Sequence, residues 1–456
     1  MSYKTIILGA GESGLGAALL AKAKGESPFV SDLSVISNSV KKELEAKQIP
    51  FEEGKHTAEI ILAGNQIIKS PGIPDSAPLI QDALRKGIPV INELEYASRF
   101  TRAKIIAITG TNGKTTTTLL THHLLKNAGV KVGLAGNVGH SLARQVINDD
   151  KDIYVIEVSS FQLDGMFNFK ADVGVLLNIT PDHLDRYEYD IQNYINSKFR
   201  ILQNMTADDA FIYWADDAVI GKELSNRDVA ATINPISLNQ REGCSHLNGN
   251  QLIIKTENEN LEIPISSLPL IGKHNILNAM ASIIAAAKVG INKEQIINGL
   301  KSFRNAPHRL EKVAELNGVQ YINDSKATNV DAVYYALDGI EAPIIWIAGG
   351  VDKGNDYKLI EGLVKSRVKS LICLGTDNQP LTSFFDDKLE TISETEDIAE
   401  AIAIAKNISN EGDTVLLSPA CASFDLFKNY EHRGDRFREE VLKLKPENGN
   451  KKEVPL

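Results

Sequence analysis

Cysteine is nearly missing: Cys244, Cys373 and Cys421 are the only three in 456 residues. They stand far apart and form no Cys-x-x-Cys pair, which argues against a disulfide framework or a structural zinc site and points to a reducing compartment. Long apolar runs are missing too. No stretch approaches the roughly 20 residues that cross a bilayer. The chain opens almost directly into a strand, Thr5-Ile6-Ile7-Leu8, without a signal-peptide pattern. The expectation is a cytoplasmic protein. No long basic run occurs, and 59 acidic against 49 basic residues leave a net charge of −10, which argues mildly against nucleic acid as the main partner. Internal repeats and low-complexity segments are absent. With 43% hydrophobic and 24% charged residues, the composition is globular, and the length suits roughly three domains.

What is present is a phosphate-binding pattern. An apolar run (Ile105, Ile106, Ile108) leads into Gly110-Thr111-Asn112-Gly113-Lys114-Thr115-Thr116, and Leu119, Leu120, Leu124 and Leu125 then repeat at helical spacing. Strand, glycine loop, lysine, hydroxyl and helix follow in the order of a phosphate cradle. Loop N–H groups and the helix N-terminus hold phosphate oxygens, Lys114 neutralises the terminal phosphates, and Thr115 or Thr116 can reach a bound Mg²⁺. The loop is a shortened relative of the usual pattern, because Ile108 stands where the first glycine is normally found. A plain glycine turn is the competing reading, and the strand-loop-helix order favours ATP.

Three α/β units are expected. Residues 1–95 open with Gly9-Ala10-Gly11-Glu12-Ser13-Gly14, a full GxGxxG, then a helix through Ala17–Lys24 and a strand ending at Asp32. Taken alone, this admits a nicotinamide dinucleotide, another nucleotide-like ligand, or a structural turn. The second is favoured, because any doubly wound domain holding a phosphate there needs the same glycines. Ser70-Pro71-Gly72 follows another apolar run and lies where such folds bind ligands. Residues 96–303 carry the phosphate loop and two further strands, one ending at Glu157-Val158-Ser159-Ser160 and one at Asn178-Ile179-Thr180-Pro181-Asp182-His183. Parallel strands bring such loops to one rim, so Lys114, Glu157 and His183 are expected to converge, Glu157 as a Mg²⁺ carboxylate. His183 reads equally as a metal ligand or as a surface residue. Asn275 and Asn278 open an alanine-rich helix, as simple caps or as purine readers. Residues 304–456 form a further doubly wound unit containing Pro307-His308-Arg309, a turn at Asn317-Gly318, and Asp324-Ser325-Lys326-Ala327-Thr328-Asn329. The Lys445–Leu456 end reads as a loose polar tail. By spacing alone, Lys198 reads as a solvated surface residue.

The order of these motifs resembles the Mur ligase family of ATP-dependent amide-bond ligases over nearly the whole chain. The resemblance rests on the 110–116 loop, Glu157-Val158-Ser159-Ser160, the His274–Asn278 motif and the 324–329 motif. It is sharpened toward the D-glutamate-adding branch by Ser159-Ser160-Phe161-Gln162-Leu163, Pro307-His308-Arg309-Leu310-Glu311 and Leu417-Ser418-Pro419-Ala420-Cys421-Ala422-Ser423-Phe424-Asp425. No Asp-Asn-Pro-Arg, the mark of the diamino-acid-adding member, is found. The implied fold is α/β in three domains: an N-terminal Rossmann-like UDP-sugar domain (1–95), a central P-loop ATPase-type parallel sheet (96–303), and a C-terminal doubly wound Rossmann-like amino-acid domain (304–456).

The implied reaction adds D-glutamate to UDP-N-acetylmuramoyl-L-alanine through an acyl phosphate. It serves peptidoglycan synthesis and, with it, cell shape, the cell cycle and division. The resemblance assigns ATP to Gly110–Thr116, Asn275, Asn278, Arg309 and Asp324. It assigns two Mg²⁺ sites to Thr115, Glu157, His183 and a carbamylated Lys198. Lys114, Lys198, His183, Asn137 and His308 are implied in catalysis. Gly11, Ser13, Asp32, Ser70, Pro71 and Gly72 are implied for the UDP-sugar, and Lys326, Thr328, Lys353, Ser423 and Phe424 for D-glutamate. The implied protein is a monomer with small-molecule partners, no nucleic acid and no membrane span. Competing readings are a family ligase for another amino acid, an ATP-dependent switch, and an NAD-dependent oxidoreductase resting only on the first glycine loop.

Overall fold

The computed structural model describes residues 4–256, 260–269, 272–305, 307–340 and 343–444, and the expected polar tail lies outside them. Three sheets follow one another along the chain. The first has five parallel strands, β1 (Thr5–Leu8), β2 (Pro28–Asp32), β3 (Phe51–Glu53), β4 (Gln66–Lys69) and β5 (Val90–Ile91), in the order β3-β2-β1-β4-β5. This order reverses direction beside β1, so the loops after β1 and β4 open at the switch point where doubly wound folds bind ligands. The first helix, Glu12–Ala23, starts five residues earlier than its apolar pattern suggests. The reason is local: a side chain on Gly14 would overlap the Gly9 carbonyl and one on Gly16 would overlap Ser141. Glycine there lets the helix leave the loop immediately.

The second sheet has nine strands. They are β6 (Lys104–Thr109), β7 (Val132–Gly136), β8 (Ile153–Glu157), β9 (Val173–Leu176), β10 (Ala210–Trp214), β11 (Thr232–Ser237), β12 (Ser245–Asn248), β13 (Gln251–Lys255) and β14 (Asn260–Pro264), ordered β14-β13-β12-β11-β10-β9-β6-β8-β7. Pairing is parallel from β7 through β12 and antiparallel for the last two strands. The middle strands read as unbroken apolar runs because both faces are covered, and β8 and β9 are buried at every position. The phosphate-loop strand β6 lies between β8 and β9, so the loops carrying Lys114, Glu157 and Asn178 leave one rim side by side.

The third sheet has six strands. They are β15 (Glu311–Leu316), β16 (Val319–Asn323), β17 (Ile344–Ala348), β18 (Val368–Leu374), β19 (Ile392–Thr395) and β20 (Thr414–Leu417), in the order β15-β16-β20-β17-β18-β19. Only β15 and β16 pair antiparallel, through the expected Asn317-Gly318 turn, where both residues take positive φ as a two-residue hairpin turn requires.

The chain divides into two compact units, Met1–Leu268 with Leu277–Phe303, and Pro269–Ile276 with Arg304–Leu456. The first two sheets fall in one unit because they share a core. Ile7, Leu15 and Leu94 from the first belong to the same apolar cluster as Ala107, Leu142 and Tyr154 from the second. The third sheet is filled on one face by Trp346, Leu371, Leu416 and Phe385. Trp346 is fully buried, stacks edge-on against Phe385 at 5.7 Å and donates its indole N–H to the Ser418 carbonyl at 2.7 Å. Trp346→Ala is expected to destabilise this unit by about 4 kcal/mol, since it removes a large core side chain and leaves a buried carbonyl without its donor. Urea unfolding followed by fluorescence and circular dichroism measures the loss.

Candidate functional site

The phosphate loop is built by its neighbours on the rim. Gly110 and Gly113 take φ of +149° and +85°, a region that side chains rarely adopt, and a Cβ on Gly113 would overlap the Asn278 amide. The chain beyond β9 clasps the loop. Thr111 N donates to the Asn178 carbonyl at 2.9 Å, Asn112 N donates to Asn178 Oδ1 at 2.8 Å, and Asn178 Nδ2 returns to the Asn112 carbonyl at 3.0 Å. The Thr111 hydroxyl sits 3.1 Å from the Thr180 carbonyl and 3.0 Å from the Tyr194 hydroxyl. Thr115 and Thr116 are buried in the first turn of helix Lys114–Asn127.

Two lysines converge on one atom. Lys114 Nζ donates to the Gly110 carbonyl at 2.9 Å and to the Thr111 carbonyl at 2.8 Å. Lys198 Nζ donates to the same Gly110 oxygen at 2.8 Å. Lys198 comes from helix Ile191–Phe199, capped by Asp190, and is 1% exposed. The solvated surface position read from its spacing is therefore corrected: the helix turns Tyr194 and Lys198, four residues apart, onto one inward face. Burial, then the charge of Lys114, hold the Lys198 amine well below its ordinary value, against Asp182, Asp164 and Glu157.

Glu157 ends β8, 1% exposed. One carboxylate oxygen accepts from Asn137 Nδ2 at 2.8 Å, and the other is buried without a hydrogen-bond partner. A buried anionic oxygen left open in this way suits a cation, so Glu157, the Thr115 hydroxyl and Lys198 fit a Mg²⁺-bound phosphate. Among the described residues no group of three His, Cys, Asp or Glu side chains forms a metal cluster by itself. His183 is half-exposed in the left-handed region at φ +52°, with its ring 5.0 Å from Phe161.

Around the N-terminal glycine loop, Asp32 accepts from Ala10 N at 2.7 Å and Ser34 N at 2.8 Å, so its carboxylate already shapes the loop. Ser70 lies against Gly9, and Gly11, Ser13, Pro71 and Gly72 border the same end of the sheet.

The second unit holds Asn275, His308, Arg309, Asp324, Lys326, Thr328, Lys353, Ser423 and Phe424. His308 is 5% exposed, its Nδ1 3.0 Å from Asn323 Nδ2 and its Nε2 3.5 Å from Asp435, and burial lowers its pKa. Lys326, Thr328 and Ser423 leave neighbouring strands β16 and β20, and Lys353 lies on the loop after β17, which pairs with β20. Phe424 is 72% exposed. Sequence reasoning missed the Asn178 clasp, which only strand order reveals. It also missed Tyr194, which the four-residue spacing to Lys198 could have flagged.

The same segments match known sequences. Residues 3–92 match the Mur ligase MurD-like N-terminal domain, 108–286 the Mur ligase middle domain, and 308–421 the Mur ligase glutamate ligase domain. The UDP-N-acetylmuramoylalanine--D-glutamate ligase of Cytophaga hutchinsonii is 53% identical over 448 residues, 97% of this chain and 100% of that protein. The protein of the same name from Porphyromonas gingivalis is 52% identical over 447 residues, 97% and 99%. Among solved structures, the pseudomurein peptide ligase type C from Methanothermus fervidus has a TM-score of 0.61 at 20% identity, covering 97% of this chain and 100% of that one. UDP-N-acetylmuramate-alanine ligase MurC from Thermotoga maritima has 0.59 at 20% identity, covering 96% and 99%. These two likenesses establish the fold.

Asp324 gives the second unit a pH signature of its own. Burial pushes its carboxyl from 3.8 up to about 7, against the Ser418 hydroxyl at 3.0 Å and Leu310 N at 3.1 Å. The folded state thus binds more protons than the unfolded state between about pH 4 and 7, and unfolding free energy falls as pH rises through that window. Asp324→Asn keeps the shape, and the Ser418 hydroxyl can turn to accept from the amide. The variant is expected to gain about 3 kcal/mol over the parent at pH 8 and to lose that gain near pH 4. Denaturant midpoints at the two pH values test it.

Proposed function

Because the chain belongs to the Mur ligase family, we propose that it joins D-glutamate to UDP-N-acetylmuramoyl-L-alanine at the expense of ATP, in peptidoglycan precursor synthesis. The observation that carries this reading is the convergence of Lys114 and Lys198 on the Gly110 carbonyl, on the rim that also bears the half-partnered Glu157 carboxylate. A carboxylate at neutral pH is a poor electrophile. Transfer of the γ-phosphoryl group to an oxygen of the L-alanine carboxylate releases ADP and creates an acyl phosphate. The D-glutamate amine then attacks the carbonyl carbon, the new C–N bond replaces the C–O bond to phosphate, and the amine gives up a proton as phosphate departs.

In this reading the loop N–H groups of Gly110–Thr116 hold the triphosphate, and Lys114 offsets the charge that gathers on the transferring group. Mg²⁺, when bound, spreads the same charge from Thr115, Glu157, His183 and Lys198. A neutral, buried amine is the form that adds to CO₂, forming an N–C bond and losing a proton. Burial and the neighbouring Lys114 charge favour the neutral form of Lys198, which suits its conversion to a carbamate that can ligate the metal. Asn137 and His308 attend the reacting carboxylate. Asn275, Asn278, Arg309 and Asp324 read the adenosine. Gly11, Ser13, Asp32 and Ser70–Gly72 hold the UDP group, and Lys326, Thr328, Lys353, Ser423 and Phe424 receive D-glutamate, whose two carboxylates call for cations and hydroxyl or N–H donors. The domains are 1–95, 96–303 and 304–456 for UDP-sugar, ATP and amino acid. The described residues contain no helix long and apolar enough to cross a membrane, and the three cysteines are free and buried. The reading is of a monomer working in the cytoplasm, where ATP and UDP-sugars are available.

The test is phosphate release with ATP, Mg²⁺ and UDP-N-acetylmuramoyl-L-alanine, with D-glutamate, L-glutamate, L-alanine or a diamino acid supplied in turn. Release dependent on D-glutamate alone is expected. Release with another amino acid would move the protein within its family, and none with any would overturn the ligase reading.

A further inference from the structure

Glu93 is a carboxylate that neither the nucleotide loop nor the D-glutamate loops use. It is 4% exposed, on the first residue of helix Glu93–Ser98. That helix joins the first sheet to the second, and it cannot shift freely. Asn92 Nδ2 donates to the Gln162 carbonyl, Asn92 N donates to the Gly165 carbonyl at 3.1 Å, and the Glu95 carboxylate accepts the N–H groups of Phe167, Asn168 and Phe169. From this fixed base, a single oxygen of Glu93 accepts both the Ser141 hydroxyl at 2.7 Å and Ala143 N at 2.5 Å.

Ser141 ends the loop that begins at β7 and carries Asn137. Gly136 and Gly139 give this loop φ of +95° and +87°, and a chain with two such glycines is permissive unless it is held at both ends. Its first end is held by Asn137, whose N–H donates to the Glu157 carbonyl at 2.9 Å and whose amide reaches the Glu157 carboxylate at 2.8 Å. Its second end is held by Glu93. The same serine also faces the N-terminal glycine loop: Ser141 N donates to Glu12 Oε1 at 3.2 Å, and a side chain on Gly16 would overlap the Ser141 hydroxyl. Arg144, one turn on, pairs with Glu43 at 2.7 Å and lies 3.8 Å from Glu12.

We propose that Glu93 and Ser141 are positioning residues: together they fix the 136–141 loop, with Asn137, at a set distance from the glycine loop at residues 9–14. A buried acid is costly, and an apolar side chain would fill the space more cheaply. What the side-chain oxygen supplies, and an apolar side chain cannot, is a shared acceptor for two donors at the end of the loop. Resting on the function proposed above, this pins the place where the sugar-borne carboxylate meets the phosphate site against the place where the uridine group is held. A displacement of about 1 Å between two such points can cost about a hundredfold in rate.

The test compares Glu93→Ala, Ser141→Ala and Glu93→Gln, which retains the shared acceptor oxygen. Steady-state assays should show the KM for UDP-N-acetylmuramoyl-L-alanine raised about tenfold or more and kcat lowered in both alanine variants, with the KM for ATP within about twofold and the glutamine variant within about threefold of the parent. If the UDP-sugar KM moves no more than the ATP KM, or Glu93→Gln fails as badly as Glu93→Ala, the proposal is overturned. Should Glu93→Ala not fold, Ser141→Ala decides. Hydrogen exchange on the substrate-free protein separates this from the ligase reading. Faster exchange at 137–143 with 153–157 still protected supports the pin even if no amino acid releases phosphate, and unchanged exchange at 137–143 overturns it.

Discussion

Two lysine amines donate to one backbone oxygen, and the rest of the site is arranged around that crowding. Two full positive charges meeting on the Gly110 carbonyl would repel strongly in a buried setting. The conflict eases if the deeper amine is neutral, and the complete burial of Lys198 favours that form. The outer amine of Lys114 stays on the loop carbonyls, from which an anionic phosphate can draw it. The loop thus holds its cation in reserve at little reorganisation cost, which is how preorganised charge accelerates phosphoryl transfer.

That arrangement depends on strand order more than on the loop itself. Because β6 lies between β8 and β9, Glu157 and Asn178 arrive on either side of the glycine loop. Asn178 then fixes the loop's backbone while Glu157 keeps one oxygen open. Asn137 couples β7 to Glu157, and Ser141 and Glu93 carry the coupling on to the first sheet. The shared apolar core of the first two sheets makes this chain of contacts a rigid one.

Much of this was legible in the sequence, and the failures have physical causes. The glycine loops, the ends of β2 and β8, and the Asn317-Gly318 turn follow from local rules that one segment obeys alone. The first helix began earlier than its apolar pattern because Gly14 and Gly16, poor helix formers by propensity, are demanded by close backbone and side-chain neighbours. Lys198 read as a surface residue because a helix's inward face cannot be chosen from one lysine; only its resemblance to family members suggested otherwise. Glu93 and Asn178 gave no signal, since each acts on a partner 48 or 66 residues away in the chain.

The central claim is that the carboxylate is activated by phosphorylation at the 110–116 loop before the amine attacks. The direct measurement uses UDP-N-acetylmuramoyl-L-alanine labelled with ¹⁸O in the L-alanine carboxylate, turned over with ATP and D-glutamate, followed by mass analysis of the released phosphate. An acyl phosphate leaves with one carboxylate oxygen, so each phosphate formed from fully labelled substrate should carry a single ¹⁸O. Phosphate free of label, with amide product still formed, would contradict the account.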